Sequence, residues 1–337
     1  MIEDKQKLII DYVPFDWSLY NESQTKEKVL FLQLLKELCD TIQEPEHKGK
    51  GRKPIALADM IFSLCLKTYL DFSSRRVNSD IRLAVKAGYL QKSIHFNTLL
   101  KYFAHPYVNL ILKQLIRISS LPLKQIEQDF AIDSTGFGNA VYVRWNDIRA
   151  NYGAMQHGWR KCHVCTGVTT NIVTSIETTD AHSSDTTEFD WLVDSTAQHF
   201  SIREVSADKA YSSRHNLKHV SERGGIAYIP FKKNARPNPH GLGSTIWRRM
   251  FTYFHQHQEE FLQHYHKRSN VESTFSMIKK RFGSTVRTKN SISQDNEILC
   301  KVLCHNICVL IQEIFLNNLD VDLNLCAKTH LAHKWKH

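Results

Sequence analysis

The chain has 337 residues, 42% hydrophobic and 23% charged, which is enough to bury one large core or two modest ones. Acids precede a very short apolar run at the start, and no stretch of about eighteen apolar residues is free of charge, so neither secretion nor membrane spanning is expected. A net charge of +10 suits a polyanionic partner, and in a cytoplasmic setting the eight cysteines are expected to be reduced rather than paired.

Residues 25–45, 57–70 and 96–120 repeat apolar positions at intervals of three and four, which predicts helices, and strand signals are nearly absent before residue 120. Between the first two lies HKGKGRKP, a basic connector at 47–54. Periodicity leaves open whether these helices form a helix-turn-helix or an ordinary bundle.

From about residue 126 the pattern changes to short β-branched or alternating runs, IEQDFAIDSTGF, CHVCTGVTTNIVTSIETTD and IREVSADKAY, broken by polar turns and helical segments. This predicts an α/β unit. Asp185 followed by Glu188 reads as a capping box opening a helix, and SSRHNLKHVSERGG as a helix stopped by Gly224 and Gly225. The expected order is three strands, helix, strand, helix, strand, a loop NARPNPHGLGS, and then helices to the end.

Two acids share one description. Asp133 alternates with the apolar pair Phe130 and Ile132, where Ser134, Thr135 and Gly136 are expected to begin a turn; Asp208 alternates with Val205 and Ala207 before another polar turn. A third acid, Glu272, falls in YHKRSNVESTFSMIKKRF, residues 265–282, which reads as one helix. At roughly 100° per residue, Tyr265, Arg268, Glu272 and Lys279 make a single polar ridge beside an apolar stripe of Val271, Phe275, Ile278 and Phe282. If the two strands share a sheet and this helix packs on it, three carboxylates converge and require divalent cations. Hard oxygen ligands favour Mg²⁺ or Mn²⁺, and two such ions serve phosphodiester displacement.

The basic surplus gathers in the same region. Residues 247–290 hold nine Lys and Arg against three Glu, and Arg248, Arg249, Lys267, Arg268, Lys279, Lys280, Arg281, Arg287 and Lys289 are candidate phosphate contacts.

Other motifs have plainer readings. Cys162 and Cys165, three apart on a strand, face opposite sides, which disfavours a shared zinc. Cys300, Cys304 and Cys308 form a core stripe on a helix. His255, His257, His264, His266, His330, His333 and His337 are expected on the surface. Trp145 and Trp159 are core residues or platforms for an unpaired base.

IDSTG, ADKAY and the run Tyr265, Arg268, Glu272 and Lys279 together resemble the DDE transposases of bacterial and archaeal insertion sequences, in the Y-R-E-K signature subgroup. WRKCH, IPFKKNARP and LCHNICVLI are similar to that family as well, and the resemblance covers about residues 50–315. It implies a mixed α/β fold, an RNase H-like sheet flanked by helices and preceded by an all-helical N-terminal part. Asp133, Asp208 and Glu272 take the catalytic and metal-binding positions for two Mg²⁺ ions, with Mn²⁺ as a possible substitute. Tyr265, Arg268, Lys279, Lys280 and Arg281 are the expected DNA contacts.

The implied organisation is a helical DNA-binding or dimerisation domain at 1–120, a catalytic domain at 121–318 and a basic tail at 319–337. The implied partners are double-stranded DNA, as terminal inverted repeats and target, and a second copy in a synaptic complex, in the cytoplasm with the nucleoid. The activity implied is metal-dependent strand cleavage and strand transfer. A transposase-derived DNA-binding protein without catalysis and an RNase H-like nuclease are the alternatives. Two features depart from the family's pattern: Ala210 stands where a Gly is frequent, and the tail after residue 318 lies outside the resemblance.

Overall fold

The structure, a computed structural model, describes residues 15–45, 54–139, 158–237 and 244–334. Trp145, His337 and most of the 47–54 connector lie outside the described residues.

Five helices come first, and each boundary has a local cause. α1 (Trp17–Asp40) is capped by Asp16, whose carboxylate accepts from the backbone N–H of Ser18 and Leu19. α2 (Leu57–Tyr69) has no cap of its own; Glu44 accepts from the Leu57 and Ala58 N–H groups instead, at 2.9 Å each. α3 (Asn78–Lys86) follows. The single helical stretch expected at 96–120 is two helices, α4 (Phe96–Phe103) and α5 (Pro106–Ser120). Pro106 has no N–H to continue the first and a fixed φ suited to opening the second.

The sheet then assembles in the expected order. β1 (Asp129–Asn139), β2 (Trp159–Gly167) and β3 (Val173–Asp180) form an antiparallel meander. α6 (Phe189–Ala197) crosses to β4 (Glu204–Ala207), and α7 (Arg214–Glu222) to β5 (Ile226–Tyr228). β4 runs parallel to β1, and β5 to β4, giving the strand order β3-β2-β1-β4-β5. A mixed sheet flanked by helices, after a helical N-terminal region, is the RNase H-like arrangement expected. α7 ends as predicted, with Gly224 at φ +86°.

Next come α8 (Ser244–Gln256), α9 (Gln258–Tyr265), α10 (Ser269–Phe282), β6 (Thr285–Val286), α11 (Ser291–Leu316) and α12 (Leu323–Lys334). Part of the 319–337 tail is thus helical, and Leu323 is fully buried. The helix expected over 265–282 is interrupted. α9 ends at Tyr265, one 3₁₀ turn spans His266–Arg268, and α10 starts at Ser269.

The sheet separates two cores. Phe130, Ile132, Val205 and Ala207 pack with Leu192 of α6 and Leu217 of α7. Ala131, Phe137 and Val164 face the other way, onto Val271, Phe275, Ile278 and Phe282 of α10 and onto α11. That second core also contains Phe31, Leu35, Phe62 and Leu115 from the first helices, so it continues across residue 120. α11 is long and apolar enough to cross a membrane by length and composition, yet 78% of its apolar window is buried inside the protein. A helix surrounded by α1, α2 and α5 needs apolar residues all round. Cys162 and Cys165 lie in opposite cores, and Cys300 and Cys304 are buried beside Cys65, as core residues.

Candidate active site

Alternation along β1 decides which side chains meet α10. Phe130 and Ile132 enter the core under α6 and α7, whereas Ala131 and Phe137 enter the core with α10. Asp133 and Thr135 are in phase with the latter pair. The turn expected at Ser134–Gly136 is absent, because β2 keeps pairing with β1 as far as Gly138 opposite Trp159. A side chain at position 136 would meet the Trp159 ring at 2.7 Å, so glycine there lets that half-exposed ring lie across the strand.

The other edge of β1 is notched. β4 stops at Ala207, opposite Ile132, and β6 joins that edge only at Gly138 and Asn139. Asp133 is the first residue of β1 past the end of β4, and Asp208 follows Ala207 in the parallel register, so the two acids stand at the same level. One Asp208 oxygen accepts from the Lys209 N–H at 2.6 Å, and one Asp133 oxygen from the Ser134 N–H at 2.8 Å.

Glu272 approaches from α10. Arg268, in the 3₁₀ turn, donates Nη1 to Asp133 and Nη2 to Glu272, each at 2.5 Å. One guanidinium thus spans two of the three acids. Glu272 remains 57% exposed while Asp133 is largely covered. Burial pushes the Asp133 carboxyl above the usual range; the Ser134 N–H and Arg268 oppose this, and the negative fields of Asp208 and Glu272 add to it. Burial works against the charge of Arg268, but Asp133, the Tyr265 hydroxyl and Glu272 hold its pKa up.

The remaining predicted side chains divide. Lys279 joins this face, donating to Thr135 Oγ1 at 2.6 Å with its ammonium 5.3 Å from the centre of the Phe137 ring; burial lowers its pKa. Lys280 points to solvent. Arg281 turns the other way, to the buried Glu27 of α1 and the Tyr69 ring. Among the other basic candidates, Arg287 pairs with Asp71 at 2.9 Å, while Arg248, Arg249 and Lys289 are exposed.

Lys267, beside Arg268 in the chain, serves a different acidic pair. Its Nζ donates to Asp129 at 2.7 Å and to Glu204 at 2.8 Å. Arg203 adds a two-pronged contact to Asp129, and His264 Nδ1 lies 2.9 Å from both Glu204 oxygens. His264 also stacks on Tyr228 at 4.3 Å, so it is not the surface residue expected. His330 departs from that expectation too, being buried with Nδ1 2.9 Å from His199 Nε2. His255, His257 and His266 are exposed as expected.

The capping box at Asp185 is not formed. Ser184 occupies the N-cap position, and the Asp185 carboxylate turns inward to accept from Ser134 Oγ at 2.7 Å and to pair with Lys161. His163 Nδ1 lies 3.6 Å away. An acid next to Asp133's neighbour outcompetes a cap because two strand residues, Lys161 and Ser134, offer it donors in a sheltered place. The signal was present in WRKCH, whose Lys161 and His163 fall on one side of a strand.

As a donor set, Asp133, Asp208 and Glu272 offer only carboxylate oxygens, two of the three acids sharing one arginine, and this fits a hard divalent cation such as Mg²⁺ or Mn²⁺.

The "Transposase DDE domain" family matches residues 124–307. A protein of Archaeoglobus fulgidus described as "Probable transposase for insertion sequence element ISA1214" is 22% identical over 306 residues, covering 90% of this chain and 89% of its own. No solved structure matches. The matched segment takes in β1 to β6, α10 and most of α11, more than half of the chain, and the protein belongs to the transposase DDE domain family.

Proposed function

We propose that this protein is a transposase of the Y-R-E-K subgroup that binds the ends of an insertion sequence, cleaves them and joins them to target DNA. The observation that carries this reading is the acid surplus at the notch of β1: Asp133 and Glu272 share the single guanidinium of Arg268, with Asp208 level with Asp133. Asp133, Asp208 and Glu272 are the metal ligands. Two Mg²⁺ ions held by these carboxylates, replaceable by Mn²⁺, would supply the activation of a water or a 3′-hydroxyl and the stabilisation of the phosphodiester's leaving oxygen.

The chain's own residues position the DNA. Arg268 leaves the carboxylates for a backbone phosphate when metal takes them, with the Tyr265 hydroxyl beside it as a second contact. Lys279 and exposed Lys280 grip phosphates further along the same strand. Arg281, tied to Glu27, fixes α10 to the helical region, which contributes DNA binding or dimerisation to a synaptic complex of two copies. The reaction takes place in the cytoplasm, on nucleoid DNA.

A Mg²⁺-dependent nicking and joining assay on element-end DNA tests this. Wild type should nick and transfer strands, and Glu272→Gln should bind the same DNA without cutting it. Binding without cutting by the wild type would leave a DNA-binding descendant. Cutting that ignores the terminal repeats and yields no joined product would leave an RNase H-like nuclease.

A further inference from the structure

Behind the sheet, α6 and α7 carry a group of ligating atoms that the site at β1 does not use. α7 presents His215 and His219 one turn apart, and α6 presents Asp190 and Asp194 one turn apart, with the two pairs facing each other. His215 Nε2 lies 2.5 Å from Asp190 Oδ2, and His219 Nδ1 lies 4.0 Å from Asp190 Oδ1. One ligand atom each from Asp190, His215 and His219 fall within 4.8 Å of one another.

Two further observations separate this group from an ordinary ion pair. Among the described residues, Asp190 Oδ1 is shut off from solvent without a hydrogen-bond partner, which is costly for a carboxylate oxygen unless a cation fills its place. His219 is held from behind: its Nε2 lies 2.8 Å from Asp194 Oδ1, which also accepts from Arg223 Nε at 2.8 Å. A carboxylate behind one ring nitrogen fixes the tautomer and leaves the other nitrogen as a ligand, the arrangement found around bound metals.

We propose that Asp190, His215 and His219 form a transition-metal site, for Zn²⁺ by its ligand chemistry, that clips α6 to α7. Two imidazoles with one carboxylate suit Zn²⁺, whereas Mg²⁺ prefers oxygen alone. An ion bound at about 2.1 Å from each ligand would sit between them, with His219 held in place by Asp194 and His215, 68% exposed, free to turn toward it. Solvent supplies the fourth ligand. The clip joins the first turn of α6 to the first two turns of α7, and the turns just before these helices carry Asp185 and Asp208, so it braces the scaffold behind the notch.

Calorimetric titration of the full chain with Zn²⁺, in saturating Mg²⁺ to occupy the all-carboxylate site, tests the proposal. Wild type should show a Zn²⁺ site that is at least about tenfold weaker in Asp190→Asn and absent in the His215→Ala/His219→Ala double variant, given the loss of one or two of three ligands. Zn²⁺ should raise the melting temperature of wild type and not of the double variant. His215→Ala, at an exposed position, guards against misfolding: it should melt like wild type in chelator and still lose the Zn²⁺ response. Glu272→Gln should keep it. Equal Zn²⁺ binding by wild type and His215→Ala, or no Zn²⁺ binding by wild type, would overturn the proposal.

Discussion

β1 carries two acids four residues apart whose surroundings differ in sign. Asp129 sits at its start beside Glu204 of β4, and this pair meets Lys267, Arg203 and His264. Asp133 sits beyond the end of β4, level with Asp208 and close to Glu272, and Arg268 alone bridges it to Glu272. Burial raises the pKa of both aspartates, but Arg203 and Lys267 hold Asp129 below the ordinary value, while Asp133 stays above it. The first group has its cations built in and is a brace between β1, β4 and the 3₁₀ turn. The second has, among the described residues, one guanidinium for three acids, and a site short of positive charge is one that can take it from a metal ion. Two consecutive residues, Lys267 and Arg268, serve the two groups.

The comparison breaks most visibly through chemistry. Asp133→Asn should lower Mg²⁺-dependent cleavage by at least about 10³-fold, as loss of a central catalytic group does, with the folded near-ultraviolet spectrum unchanged. Wild-type rates in that variant would remove Asp133 from the reaction. Lys267→Met, at the other end of the turn, should act on stability instead. It strips a cation from two sheltered carboxylates and should cost about 3 kcal/mol in urea unfolding, with cleavage per folded molecule largely retained.

A third test uses a buried titratable group away from both. His305 of α11 donates from Nε2 to the Asn171 carbonyl at 2.9 Å, and burial pushes its pKa down to about 4. In the unfolded chain the ring takes a proton near its ordinary 6.5. Stability therefore falls as pH drops from about 6.5 to about 4, where the loss is complete, by up to about 3 kcal/mol at roughly 1.4 kcal/mol per pH unit. His305→Gln should flatten the melting temperature over that window; an unchanged slope would refute the assignment. The smallest effect separates neighbours on α10. Lys280→Ala should lower the salt dependence of DNA binding by about one ion, whereas Arg281→Ala should leave it unchanged and destabilise the fold by about 2 kcal/mol, because Glu27 is left buried.

Much of this molecule was legible in its sequence where neighbours along the chain decide. The strand and helix order, the apolar stripe Val271, Phe275, Ile278 and Phe282, and the stop at Gly224 all follow from periodicity and turn chemistry. Asp185 was misread because capping is a local rule, and donors from β1 and β2 overrode it. His264 and His330 were misread because their partners, Glu204 and His199, are distant in sequence.

The sequence by itself determined which residue types could act, since alternation and helical spacing fix the face on which Asp133, Glu272 and Lys279 can appear. Only the tertiary structure decided how the charges are shared. Register between β1 and β4 put Asp133 beyond the last strand pair, and the 3₁₀ turn split Lys267 from Arg268. Charge balance at a site is a sum over segments far apart in the chain, and no local pattern carries that sum.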